Sequence, residues 1–219
     1  MKKKLFVIAF LLIVAVVFSV IYLNSSDAPV VEDETQEEKY DPVEKTIIYA
    51  VADFSENIYD DKSFLELIEP YLMFYKIDNV EYSLLDSEVE KMGVWAEFFA
   101  QFLDVVRRAD HNAYNDMFFD GYYNTHRKIG EFTMQKVYDL HVEELKIMPE
   151  LDEKEYAWVT EESLTPKYFN VKYKIKDNNG SFRLGVESDE YKPQLFILSQ
   201  NSNGEVKIID IVEFAPVYS

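Results

Sequence analysis

Period-two alternation is clearest between positions 168 and 214, where Phe169, Val171, Tyr173 and Ile175 are apolar and Asn170, Lys172, Lys174 and Lys176 are polar. A strand with one face on a core and the other in water produces that pattern, because successive side chains leave opposite sides of the backbone. The whole stretch, YFNVKYKIKDNNGSFRLGVESDEYKPQLFILSQNSNGEVKIIDIVEF, reads as four strands. Asp177-Asn178-Asn179-Gly180 and Asn203-Gly204 supply residues that tolerate positive φ and so predict hairpin turns. Residues 195–198 and 208–211 are apolar apart from Asp210, which predicts central strands covered on both faces. An earlier strand is predicted over 137–142, with Tyr138, Leu140 and Val142 set against Asp139, His141 and Glu143.

Helical spacing governs the region before these strands. Asp41-Pro42-Val43-Glu44 combines an N-cap acid, a first-turn proline and a glutamate three residues after the cap, and Val43, Ile47, Val51, Phe54 and Ile58 follow on one helical face. Ser63 and Glu66 repeat the capping pattern before a short helix that should end near Pro70, while 72–85 is open between strand and irregular chain. Ser87 and Glu90 open the strongest helix. Its stripe is Met92, Trp95, Phe98, Phe99, Phe102, Leu103 and Val106, with Glu97, Gln101, Asp104 and Arg108 opposite. Asp110 can cap a further short helix carrying Tyr114, Met117 and Phe118, with Gly121 placed to end it. Residues 149–166 are acidic and irregular apart from Tyr156-Ala-Trp-Val159 and read as an arm or insertion before the main sheet. The expected class is α+β, with helices packed on a curved antiparallel sheet.

Ahead of all this stands LFVIAFLLIVAVVFSVIYL, residues 5–23, without a charge. As a helix it spans roughly 28 Å, close to the ~30 Å of a bilayer's hydrocarbon layer, and it is long for a signal-peptide core. An uncleaved single-span anchor is expected. Lys2, Lys3 and Lys4 place residues 1–4 in the cytoplasm and the remainder outside the cell membrane. Residues 24–41, NSSDAPVVEDETQEEKYD, have too few large apolar side chains to repay ordering and read as an acidic disordered tether. Residues 42–86 then form a helical extension, and 87–219 the α+β domain.

Charge narrows the partners. The formal net charge is −19 at pH 7, and more negative still once the three leading lysines are set aside. Nucleic acid and anionic lipid surfaces would be repelled. Cysteine is absent, which removes disulfides, thiolate metal sites and cysteine nucleophiles. Six glycines leave no phosphate cradle, and neither G-x-S-x-G nor H-E-x-x-H occurs, so no cofactor is expected.

The order of long helix, short helix, strand, excursion and antiparallel meander over 87–214 resembles the cone-shaped domains called nuclear-transport-factor-two-like or cystatin-like. That resemblance implies a curved sheet wrapped around the long helix. The segments EFTMQKVYD (131–139) and NNGSFR (178–183) also resemble stretches of uncharacterised membrane-anchored proteins of low-GC Gram-positive bacteria, a group that implies no activity. The layout of short tail, single span, tether and cone is similar to an inner-membrane assembly component of type IV secretion and conjugation machines.

In such a cone, polar groups aimed between helix and sheet could do chemistry. Asp210 shares its face with Val206, Ile208, Val212 and Phe214 by simple alternation, so it could be a desolvated acid or base with Tyr138 or Tyr173 as donors, in a pocket lined by Trp95 and Phe99. The simpler role is structural, with a tyrosine hydroxyl or a backbone amide satisfying the carboxylate. Asp139, His141 and Glu143 share a strand face, but with no second histidine nearby they read as a solvated surface, and no metal is expected. The expected function is therefore a non-enzymatic module that docks another protein at the membrane. The alternative is a small-molecule pocket, binding or catalytic, inside the cone.

Overall fold

The computed structural model describes residues 47–146, 151–152, 154 and 156–213. The expectations for the anchor 5–23, the tether 24–41 and the helix start at Asp41 lie outside the described residues. Among those described, no helix is long and apolar enough to cross a membrane. The architecture is mixed α+β. Six strands form one unclosed sheet: β1 (Met73–Ile77), β2 (Val80–Leu84), β3 (Val137–Leu145), β4 (Lys167–Ile175), β5 (Gln194–Gln200) and β6 (Val206–Glu213), in the order β2-β1-β3-β4-β5-β6. Every neighbouring pair is antiparallel except β1 and β3, which run parallel, so the sheet is mixed where a purely antiparallel one was expected. Four α-helices are described: α1 (Lys62–Ile68), α2 (Val94–Arg107), α3 (His111–Asp116) and α4 (Ala157–Glu161).

The stretch 42–86, expected to be helical, carries α1 and also the β1–β2 hairpin. Asp78 and Asn79 turn that hairpin with φ of 51° and 65°, the left-handed pair that a two-residue connection requires. The amphipathic helix expected to run through Ile47, Val51 and Phe54 is absent from 47–57. Val51 is 92% exposed there, and Tyr49 instead lies against Gly180 and accepts a hydrogen bond from the Gly185 amide at 2.6 Å. α1 does form and ends at Ile68, before Pro70, but its cap is Asp61, which accepts from the Ser63 and Phe64 amides. The long helix begins at Val94 and not at Ser87. Residues Asp86–Met92 form a separate 3-10 segment, and Gly93 at φ 87° breaks the two apart.

α2 lies on one face of the sheet, as its stripe demands. Phe99 meets Phe169 and Phe196 at ring-centroid distances of 5.3 and 5.7 Å, and Phe102 meets Phe196 edge-on at 5.2 Å and Tyr173 at 6.3 Å. α3 is capped by Asp110 as expected. Gly121 does not end that helix. It lets Trp158 pack closely, since a Cβ there would stand 2.3 Å from the indole ring. The 151–166 segment with α4 is thus no free arm. It covers the opposite face of β5 and β6, where Phe119, Val159, Tyr168, Leu195, Ile197 and Ile209 form a second core. Both strands are covered on both faces, as their apolar runs implied, although β6 is an edge strand and not a central one.

The segment 177–180 turns the chain but closes no hairpin. The Asn178 side-chain amide donates to the carbonyls of Arg183 at 3.1 Å and Val186 at 2.9 Å, so those groups are tied into a loop and the fourth expected strand does not form. Asn201–Gly204 does close the β5–β6 hairpin, with Gly204 at φ 83°.

Candidate functional site

Trp95, Phe99 and Tyr173 all belong to the core between α2 and the sheet. What they form there is packing. Phe99 is fully buried, and Trp95 lies 5.7 Å from Phe169 with the Lys167 ammonium 5.1 Å from its ring. The Tyr173 hydroxyl donates to Gln194 at 3.4 Å, and the Arg183 guanidinium lies 5.0 Å from the tyrosine ring. Burial pushes the Tyr173 hydroxyl upward, so it stays neutral and donating at physiological pH.

Asp210 and Tyr138 do not join them, and the reason is the same for both. A bulge between Ile197 and Leu198 pairs Ile197 with Asp210 and Leu198 with Ile208, leaving Ile209 as an extra residue on β6. The alternation therefore reverses, and Asp210 faces away from α2, opposite to Ile208. There it is 3% exposed, accepts from the Tyr156 hydroxyl and takes the Ile211 amide on its other oxygen at 2.7 Å. Its tyrosine is thus Tyr156 and not Tyr138 or Tyr173. A second bulge separates Tyr138 from His141 in β3, with Asp139 at φ 53°. It puts Val137 at the buried position and turns Tyr138 outward, where its hydroxyl donates to Asp189 at 2.8 Å.

On that same outward face Asp139 and His141 do meet, at 3.0 Å, while the other His141 ring nitrogen lies 3.3 Å from Glu81 and the ring stacks on Phe74 at 4.4 Å. Asp139 is also bound by Lys174 at 3.1 Å and by the Tyr191 hydroxyl. Burial works against its charge, yet Tyr191, Lys174 and His141 together hold its carboxyl below the usual range. Glu143 turns instead to Lys76 at 2.6 Å. Asp139 and Glu143 thus each hold a lysine, and His141 lies between Asp139 and Glu81. No group of histidines and acids that could hold a metal occurs among the described residues.

Open space lies elsewhere, on either side of the Asn201–Gly204 turn. One hollow of about 570 Å³ is lined by Val94, Phe98 and Met117 together with Glu97, Asp116 and Glu205. A second of about 400 Å³ is lined by Phe119, Leu164, Asp120 and Glu162. Lys207 borders both, with its ammonium bound to the Asp116 carbonyl at 3.0 Å. Sequence patterning marked the turn but not the hollows, because their walls come from segments some ninety positions apart. No protein-family model, curated protein or solved structure matches this chain.

Proposed function

We propose that this chain is a membrane-anchored, extracytoplasmic docking module that uses its surface and carries out no chemistry inside the fold. The observation that carries this reading is the use made of the groups that a reaction would need. Tyr173 and Phe99 fill the space beneath α2, and Asp210 is satisfied by Tyr156 and the Ile211 amide on the other side of the sheet. A catalytic carboxylate needs open space and a converging donor; Asp210 has the donor but no hollow lined by it among those described above. α2 laid across β4 and β5 supports the cone-like architecture, and the uncharged run 5–23 behind three lysines supports an anchor with the domain outside. An acidic surface and cysteine-free composition suit such a location and disfavour nucleic acid.

Protease added to cells stripped of their outer envelope should digest the domain of the full-length chain and leave a membrane-protected fragment of the first two dozen or so residues. The intact complex, extracted in mild detergent, should migrate on native gels with a second protein. Survival of the domain until the membrane is lysed would place it in the cytoplasm. Migration as the chain alone would remove the docking role.

A further inference from the structure

The sheet has two edges, and the described chain covers one of them. Along β6 the Ile208 amide donates to the Met117 carbonyl at 2.8 Å, and the Ile208 carbonyl accepts from the Phe119 amide at 3.0 Å. β2 forms the other edge, and its hairpin decides which backbone groups it turns outward. The two-residue connection at Asp78-Asn79 makes Ile77 and Val80 a hydrogen-bonded pair, so by alternation Tyr82 and Leu84 bond back toward β1. The Leu84 carbonyl accepts from the Leu72 amide on that inner side at 2.8 Å. The amides and carbonyls of Glu81 and Ser83 therefore point out along the edge, and nothing among the described residues bonds them there. The usual guards are missing as well. β2 holds no lysine, no proline and no bulge, and its one charge, Glu81, is turned to His141 of β3 at 3.3 Å. Val80 and Tyr82 are 50% and 42% exposed.

A strand added at this edge must bring its own outward-bonding residues to Glu81 and Ser83, and β2 itself does so. Antiparallel pairing of two copies about Tyr82 sets Glu81 of each against Ser83 of the other, Val80 against Leu84, and the two Tyr82 rings side by side. No like charges meet, the serine hydroxyl can donate to the opposing carboxylate, and apolar side chains face apolar ones. Centring the pair on Glu81 would oppose two carboxylates, and centring it on Ser83 would set Glu81 against Leu85. We infer that two copies of this chain associate through antiparallel pairing of β2 about Tyr82, which joins their sheets edge to edge. The contact is of the chain with itself and stands apart from the docking reading above. Five residues a strand bury less than the roughly 800 Å² per partner of a standard interface, so the dimer is a weak one that forms at high concentration. The net charge of −19 opposes it, so added salt should tighten it.

The test is sedimentation equilibrium of the full-length chain in mild detergent, up to hundreds of micromolar, with the variants Ser83→Pro and Tyr82→Lys. The proline removes an amide that β1 does not use, and the lysine sets two ammoniums across the axis without touching the backbone. Each should weaken dimerisation at least about tenfold while melting near the parent temperature. Tyr82→Cys, in a chain with no other cysteine, should form a disulfide dimer in its own membrane under mild oxidation, because opposed residues of this kind stand about 4.5 Å apart at Cα, within reach of a disulfide. Asn203→Cys, exposed on the turn beside β6, should not. A parent chain that stays monomeric, parental dimerisation in both folded variants, a dimer that added salt dissolves, or an equal disulfide yield from Asn203→Cys would each overturn the inference. Loss of the second protein on native gels would remove the docking role and leave these results as they stand.

Discussion

The two faces of the sheet are built from the same strands and do opposite things. Toward α2 lie neutral rings and aliphatic chains. Phe99, Phe102, Phe169, Phe196 and Tyr173 are all at most 2% exposed and touch one another ring to ring. Away from α2, β1, β3 and β4 carry the Lys76–Glu143 pair at 2.6 Å and the Asp139–His141–Lys174 web, with side chains about a fifth to a third exposed. Each buried ring contributes about 1.5–3 kcal/mol, whereas an exposed pair contributes at most about 1 kcal/mol. The first face therefore holds the fold together along its length, while the second is ion-paired on β1, β3 and β4 and apolar where the segment around α4 covers β5 and β6. Two open hollows lie beside the β5–β6 turn, one lined partly by α2 and the other partly by the segment that follows α4.

The largest effect should come from the α2 face. Phe102→Ala removes a ring 1% exposed and should cost about 3–5 kcal/mol in denaturant melts. A near-parental midpoint would mean that α2 does not pack on this sheet. Next is the buried polar pair under α4: Tyr156→Phe should cost about 1–3 kcal/mol, as leaving one partner of a buried hydrogen bond unsatisfied does. In a double-mutant cycle with Asp210→Asn the two losses should be strongly non-additive. Additive losses would separate the residues.

Gly121→Ala should cost about 1–3 kcal/mol, because the added methyl must displace the Trp158 ring. Combining it with Trp158→Ala should leave little further loss from the methyl, and an undiminished penalty would place α4 elsewhere. The smallest effect is one of charge. Asp61 sits between Lys176 at 2.8 Å and Lys136 at 3.1 Å, and the Lys176 hydrogen bond, then Ser63 and Lys136, hold its carboxyl far below the usual range. A lowered folded-state pKa gives stability that is complete above the ordinary value near ~4 and lost as pH falls through the lowered one. Asp61→Asn keeps a helix cap but should flatten the acid limb of a melting-temperature-against-pH curve. An unchanged limb would show that the cluster carries no linkage.

Where local chemistry decides structure, the sequence was legible. The alternation of β4, the stripe of α2, the Asp110 cap and the Asn203-Gly204 turn all appear as the residues imply. Asp78-Asn79 carried an equally plain hairpin signal that the mixed composition of 72–85 obscured. The candidate site fared differently because it depended on parity along strands, and one extra residue reverses parity. Tyr138 and Asp210 each stand at a bulge, so both turn away from Tyr173, which is the reason the three never meet. Asp139, which takes the positive φ at that break, is a residue type that tolerates it. Tyr156, the partner Asp210 does find, lay in a stretch whose acidity suggested exposure. The hollows depend on Glu97 and Asp116 meeting Glu205 across the fold, which no local pattern encodes.

The proposed docking role leaves the interior as scaffold and puts function on the surface, and the hollows beside the β5–β6 turn are the open space at which it can be tested. A photo-crosslinking residue at Gln101, which lines the larger hollow, or at Ser202, which lines the smaller, tests this directly in the full-length chain in its own membrane, with Lys172 on the ion-paired face as the comparison. The expected result is one discrete protein adduct, the same from Gln101 and Ser202, and none from Lys172. Adducts of equal yield from Lys172, or none from the two hollows, would contradict the account.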